Sequence, residues 1–221
     1  MISVIIPTLN EVLALPHTLA CFALQSAVHE VIVSDGGSSD STAAVAQSAG
    51  VQWVTSVRGR GAQMNAGERL AKGEWLLFLH ADTLLPAGAL AAIAALPNTV
   101  EYGCFRQAFS GKHPLLRGIS WLHNWRCKRT KIIYGDQALF VRRSLFEALG
   151  GFSEYELEDV KLSERLLERS TPLLLPATVI TDARKFLKQG VIRSFSRMAL
   201  ILICHRYRLP LAGRRFFEAV R

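Results

Sequence analysis

Apolar runs punctuated by glycine and short polar turns set the rhythm of the first half of the chain. Trp75-Leu76-Leu77-Phe78-Leu79 is a continuous apolar stretch that follows Gly73-Glu74 and stops at His80 and Asp82. Such a run reads as a strand buried on both faces, as in a parallel sheet. Ser3–Pro7, Glu30–Asp35 and Val51–Val54 repeat the pattern. Helices are predicted between them: from about Glu11 to Gln25, over Thr42–Ser48 with a Ser or Asp of the preceding turn as cap, and over Ala62–Ala71 with Gly73 as its stop. Strands alternating with helices at short intervals predict βαβ units. Right-handed crossovers then bring the carboxyl ends of these strands to one edge, where ligands of open α/β sheets bind. That edge collects Thr8, Asn10, Glu11, Asp35, Gly36, His80 and Asp82.

The second half is less regular. A helix over Ala87–Leu96, a strand over Tyr102–Phe109 and a basic, aromatic helix over His113–Lys131 are predicted. Trp121 and Trp125 are four apart on one face of that helix; with Arg126 they could shape a ligand site or form an interface, but the spacing favours ordinary core packing. A strand over Gln137–Val141, a helix over Ser144–Leu149, a helix over Leu157–Arg169 and a strand over Leu173–Ile180 follow. The chain then reads as helical from about Gln189 to Tyr207.

Half of the 221 residues are hydrophobic, enough to bury a sizeable core. The net charge of +8 is unevenly placed. Residues 184–221 hold ten Lys/Arg and one acid, whereas residues 1–183 hold 16 and 17. The basic tail suits an anionic partner: it either lies on an anionic membrane surface or packs its apolar side on the sheet or on a second subunit, as in a homodimer. Nucleic acid is disfavoured, because the basic residues form no reader motif. Cys21, Cys104, Cys127 and Cys204 are far apart and form no C-x-x-C pair, which argues against a zinc site and favours a reducing compartment. Met1–Ile6 lacks the basic segment of a signal peptide, and no apolar run reaches 18 residues. These features predict a cytoplasmic protein, peripheral on the membrane's inner face if the tail binds there.

One residue suggests chemistry directly. Asp82, two residues beyond His80 at a strand end, is placed to hold a hard divalent cation together with substrate phosphates, or to cap the helix after Pro86. Asp35 reads as a turn residue that hydrogen-bonds its own backbone, and Glu158-Asp159 as acidic residues of a helix's first turn.

Taken together, Ser3-Val4-Ile5-Ile6-Pro7-Thr8-Leu9-Asn10-Glu11, Val33–Thr42, Arg58–Gly67, His80-Ala81-Asp82, Gly135-Asp136-Gln137-Ala138, Gly150-Gly151-Phe152 and Glu158-Asp159 resemble family 2 glycosyltransferases with the GT-A fold. The likeness covers roughly residues 1–185, and its nearest subgroup is the small bacterial "transferase 2" proteins associated with radical-SAM/selenodomain or arsenosugar gene neighbourhoods. It implies an α/β, Rossmann-like, mostly parallel sheet flanked by helices. A nucleotide half (about 1–83) and an acceptor half (about 84–185) precede a helical tail (186–221). It implies an inverting, metal-dependent transfer of a sugar from a nucleoside-diphosphate donor, UDP-type favoured, to the hydroxyl of a small-molecule or lipid-linked acceptor. Donor binding falls on Pro7, Thr8, Asn10, Glu11, Asp35, Gly36, Arg60, Gln63, Asn65, His80, Ala81 and Asp82. Asp82, with His80, would hold Mg²⁺ or Mn²⁺. His80 stands where the family's D-x-D motif has its first Asp, so that its metal contact is open. Asp159, with Glu158, matches the general base, and Asp136, Gln137, Gly151 and Phe152 fall on the acceptor side. The Q-x-x-R-W-like motif of processive synthases is missing, and Arg184 is the residue that could stand in for it on a donor phosphate. Two other classes share parts of the pattern: a sugar nucleotidyltransferase, whose Gly-rich basic loop follows the first strand rather than the third, and a non-catalytic nucleotide-sugar-binding protein.

Overall fold

A computed structural model of the chain describes residues 1–153 and 157–206. In chain order the elements are β1 (Ile2–Thr8), α1 (Leu15–Ala20), β2 (His29–Asp35), α2 (Thr42–Ser48), β3 (Gln52–Thr55), α3 (Arg60–Glu68) and β4 (Trp75–Phe78). Then come β5 (Thr83–Leu84), α4 (Ala89–Ala94), β6 (Tyr102–Phe109), α5 (Pro114–Thr130), β7 (Phe140–Arg142) and α6 (Arg143–Ala148). The last are α7 (Glu158–Leu167), β8 (Leu173–Thr181), α8 (Arg184–Gln189) and α9 (Val191–Arg206).

One sheet runs β3-β2-β1-β4-β7-β6-β8-β5. Its first half is parallel, with Thr8 opposite Asp35 and Ile5 opposite Phe78, so the carboxyl ends of β1, β2 and β4 share one edge. Beyond β4 the sheet is mixed. β7 runs antiparallel to both β4 and β6, β8 parallel to β6, and β5 antiparallel to β8. The expected βαβ regularity therefore ends at β4, because β7 enters the sheet from the opposite direction.

The apolar runs make strands because both sheet faces are covered. Ile2, Val4 and Ile6 of β1, with Trp75 and Leu77 of β4, point into one core. Ile5, Leu76 and Phe78 point into the other, as the alternation of a strand requires. The polar Ser3 in the middle of β1 is buried but satisfied: its hydroxyl donates to Glu30 (2.6 Å) and accepts from the Gly73 amide (2.8 Å).

Several elements differ from the pattern-based expectation. The helix expected over Ala62–Ala71 runs over Arg60–Glu68 and ends well before Gly73. Gly73 is instead a packing residue: a Cβ there would lie 2.6 Å from the backbone nitrogen of Ser3. The helix predicted after Glu11 begins only at Leu15 and closes in a 3-10 turn over Cys21–Leu24. Trp121 and Trp125 are not core residues; they are 66% and 49% exposed, because Leu116, Ser120, His123 and Cys127 form the buried face of α5. Cys104 and Cys127, remote in sequence, meet with sulfurs 3.9 Å apart as free thiols. α8 and α9 dock on α5 through a small cluster of Leu116, Ala183 and Val191, flanked by Ile119 and Phe186. The expectation for Tyr207, Arg208, Arg214 and Arg215 lies outside the described residues. Among the described residues, no helix is long and apolar enough to cross a membrane.

Substitution Gly73→Ala is expected to destabilise the fold by about 1–3 kcal/mol, since the colliding atom is backbone and cannot swing away. Gly118→Ala, in open space on α5, is expected to be neutral or stabilising by up to about 1 kcal/mol. Urea denaturation of the two variants checks both; equal midpoints would contradict the packing role.

Candidate active site

At the shared edge of β1, β2 and β4 two loops are stitched together. The Asn10 amide donates to the Ser38 hydroxyl (2.8 Å), and the Asn10 side-chain oxygen accepts from the Ser39 amide (2.8 Å). The Glu11 amide donates to Thr42 Oγ1 (2.9 Å), and that of Val12 to Asp40 (3.3 Å). Asn10 adopts φ 55°, a left-handed conformation that Asn tolerates better than most residues. Asp40 also accepts from the Thr42 amide (2.9 Å), while Ser41, the N-cap of α2, makes no side-chain cap.

Beside these loops lies a cavity of about 320 Å³, a size that suits a small organic ligand. Its lining comes from the loop after β1 (Pro7, Thr8, Leu9, Asn10, Glu11), the start of α3 (Arg58, Gly59, Arg60, Gln63) and the loop after β4 (His80, Ala81, Asp82). Of the sequence-based donor set, Pro7, Thr8, Asn10, Glu11, Arg60, Gln63, His80, Ala81 and Asp82 line it, with Leu9, Arg58 and Gly59 added. The N-terminus of α3, which has no side-chain cap, lies at the cavity next to Arg58 and Arg60, an arrangement that attracts anions. Asp82 does not cap the helix after Pro86: the N-cap of α4 is Gly88, which has no side-chain cap.

Not every expected residue lines this cavity. Asp35 is buried, and its carboxylate accepts from Thr8 Oγ1 (3.1 Å), the Ser38 hydroxyl and the amides of Gly37 (3.0 Å) and Ser38 (2.7 Å). It therefore organises its own turn. Gly36 packs against Gln63, with a Cβ position 3.0 Å from that side chain. Gln63 spans the cavity floor and donates to the carbonyls of Thr8 (2.6 Å) and Ser34 (3.1 Å), locking α3 onto the ends of β1 and β2. Asn65, two residues further along α3 and so on its opposite face, points away. Its side-chain amide pairs twice with the backbone of Phe152, accepting from the amide and donating to the carbonyl, both at 2.9 Å. Gly151, at φ 71°, packs within 2.7 Å of the Asn65 oxygen at its Cβ position. Arg184 is exposed and paired with Asp182.

His80 closes the cavity on one side and opens onto a second, narrow cleft on the other. The cleft is lined by Met64, Phe78, His80, Tyr134, Gly135, Phe152, Glu158 and Asp159, among others. The Gly135 amide donates to Asp159 Oδ2 (2.7 Å), while Asp159 Oδ1 accepts from the Val160 amide (2.8 Å). Asp159 thus serves the first turn of α7 with one oxygen and the cleft with the other. A Cβ on Gly135 would lie 2.6 Å from His80 Nε2, so only glycine lets the two halves close. Glu158 is buried beside it. Of the four non-glycine residues with left-handed φ among the described residues, Asn10, Ala138 and Leu157 flank these two sites. Backbone strain of this kind gathers at functional sites.

The electrostatics are uneven. Burial, helped by the Arg60 charge, pushes the His80 imidazole down to about 4, against the pull of Asp82, Asp136 and Asp159. It is therefore neutral at physiological pH, with a lone pair available. Burial opposes ionisation of Asp136, but His123, His80 and Arg126 outweigh it and hold that carboxyl below its ordinary value. His123 Nε2 lies 3.2 Å from Asp136 Oδ1, and Arg126 sits over the Tyr134 ring at 3.3 Å and reaches the Gln137 side chain at 3.5 Å. Gln137 is fully buried. Sequence reasoning missed His123 and the amide of Gly135; the Gly135-Asp136 pair was the one available signal. Among the described residues, no three His, Cys, Asp or Glu side chains gather as a metal site.

The model of the family described as glycosyl transferase family 2 matches residues 3–149. The chain belongs to this family. The match includes both stitched loops and the His80–Asp82 segment, and it ends before Glu158 and Asp159. The PGL/p-HBAD biosynthesis glycosyltransferases of Mycobacterium bovis and Mycobacterium tuberculosis are 32% identical over 171 residues, 69% of this chain. The aligned region is 63% of those relatives' own length. Among solved structures, the mannosyltransferase PcManGT from Pyrobaculum calidifontis, in complex with GDP-Man and Mn²⁺, superposes with a TM-score of 0.71 at 20% identity, covering 99% of this chain and 67% of that one. TarS from S. aureus, in complex with UDP-GlcNAc, gives 0.68 at 19% identity over 83% of this chain and 58% of its own. Glucosyl-3-phosphoglycerate synthase from Mycobacterium tuberculosis, in complex with Mn²⁺, UDP and its product, gives 0.67 at 17% identity over 96% and 82%. At these identities the likeness is one of fold, and the fold is that of GT-A glycosyltransferases.

Asn65→Ala is expected to lower stability by about 1–3 kcal/mol, because it strips partners from a buried backbone amide and carbonyl at once. An unchanged urea midpoint would remove the clamp on the Gly150–Phe152 loop.

Proposed function

We propose that this chain transfers a sugar from a nucleoside-diphosphate donor to an acceptor hydroxyl, with inversion at the anomeric carbon. The observation that carries the reading is the pair of neighbouring sites divided by His80: an anion-attracting cavity on the β1–β4 edge and a cleft holding a positioned carboxylate. Donor phosphates would meet Arg58, Arg60 and the amides that open α3. Pro7, Thr8, Asn10 and Glu11 would form the nucleotide's wall. A UDP-type base is favoured, with Asp35 accepting from the base once the Ser38 hydroxyl turns aside. Gln63 and Asn65 act as positioning residues, one for the strand ends and one for the Phe152 loop.

Asp82 and the neutral His80 imidazole are a donor set that fits Mg²⁺ or Mn²⁺ only if phosphates complete the coordination, which is how Mg²⁺ is usually held. When bound, such an ion supplies charge neutralisation to the departing diphosphate. Asp159 takes the proton of the acceptor hydroxyl as that oxygen attacks, and the Gly135 amide keeps the carboxylate turned toward it. Direct attack from the side opposite the leaving group inverts the centre. Asp136, Gln137, Gly151 and Phe152 shape the acceptor side. Residues 1–185 form the catalytic unit in this reading and 186–221 the extension, and the subgroup is the small bacterial "transferase 2" set. We place the protein in the cytoplasm, peripheral on the inner membrane face, with a lipid-linked or small-molecule acceptor. The basic, Gly-containing loop follows β3 rather than β1, which disfavours a nucleotidyltransferase.

Asp159→Asn is expected to cut donor turnover by about 10²–10⁴-fold, the usual scale of general-base assistance, and to leave nucleotide affinity unchanged. Release of nucleoside diphosphate from UDP- and GDP-sugars in the presence of hydroxyl acceptors measures it. Full turnover by the variant would remove Asp159 as the base.

A further inference from the structure

α5 has two faces of different character. Its inner face buries Leu116, Ser120, His123 and Cys127. Its outer face exposes Leu115, Trp121, Leu122 and Trp125, together with Arg117, Lys128 and Arg129. The two indoles lie one above the other, with centroids 6.4 Å apart and planes 16° from parallel, and Arg129 sits 6.0 Å from the Trp125 ring. The helix contains no Asp or Glu. α9, docked on α5, exposes Ile192 (71%), Leu200 and Arg193 as well.

We propose that the outer face of α5 docks this protein on an anionic lipid bilayer. The chemistry of the face selects that partner. Leaving two indoles and two leucines in water is costly, and an apolar strip of this size ordinarily marks an interaction surface. Indoles favour the boundary between headgroups and acyl chains, where their apolar body and N–H are both served. Cations with no neighbouring acid on the helix complement anionic headgroups. Single-stranded nucleic acid would use the cations and the rings, but it offers nothing to Leu115 and Leu122, and each indole already shares one face with the other. The helix is too short and too basic to span, so it lies in the interface plane. The inference does not depend on the proposed transfer reaction.

The test uses the full chain and vesicles of phosphatidylcholine with or without phosphatidylglycerol. Binding is expected only to the anionic vesicles and is expected to weaken as salt rises. Lipids brominated on their acyl chains are expected to quench tryptophan emission, since Trp121 and Trp125 are exposed while Trp75 is buried. The double variant Trp121→Ala/Trp125→Ala is expected to lose about tenfold or more in vesicle affinity with an unchanged melting temperature. Arg117→Glu/Arg129→Glu is expected to lose the preference for anionic lipid. Full vesicle affinity in the double variant would overturn the proposal and leave binding to the tail. Absence of quenching in the natural chain would overturn it too. Self-association without vesicles that the double variant abolishes would assign the face to a second copy instead.

Discussion

The hydrogen bond from the Gly135 amide to the Asp159 carboxylate is the contact on which the rest of the site depends. It joins parts of the chain that the sheet alone does not bring together. Asp159 opens α7 in the second half, whereas His80 ends β4 in the first, and Gly135 sits between them with no room for a side chain. An amide aimed at one carboxylate oxygen fixes the direction of that group at little entropic cost, because the backbone is already ordered. The same close approach leaves His80 as the thin wall between the cavity lined by Arg58 and Arg60 and the cleft that holds Asp159.

Charge is distributed across that wall in a consistent way. Arg58 and Arg60 stand on the cavity side with the helix terminus of α3. Asp159 stands on the cleft side, and Asp136 lies behind the wall against His123 and Arg126. A neutral His80 between them adds no charge to either side. Gln63 and Asn65, both on α3, brace opposite sides of the arrangement: one holds the ends of β1 and β2, the other holds the loop carrying Phe152. A single helix thus sets the spacing between the strand ends and the Phe152 loop.

The first half of the fold was legible in the sequence because its signals are local. Buried parallel strands read as apolar runs, and glycine and proline mark their ends, so β1, β2 and β4 fell within a residue or two of expectation. The convergence of Thr8, Asn10, Glu11, His80 and Asp82 followed from topology alone. Strand direction in the second half was not legible, since an antiparallel β7 and a parallel β8 have the same apolar pattern. Asn65 was read as ligand-facing because it belongs to a recognisable motif, yet the direction of an amide side chain depends on a partner many positions away, here Phe152. Trp121 and Trp125 show the converse error: helical spacing says that two residues share a face, not which face is buried.

The central claim is that the cavity on the β1–β4 edge takes a nucleoside diphosphate together with a divalent ion at Asp82. Calorimetric titration of UDP and GDP into the full chain, with and without Mn²⁺, tests it most directly. The expected result is binding that Mn²⁺ strengthens about tenfold or more in the natural chain, with that gain lost in Asp82→Asn. Nucleotide affinity that is absent, or equal with and without the ion in both proteins, would contradict the account.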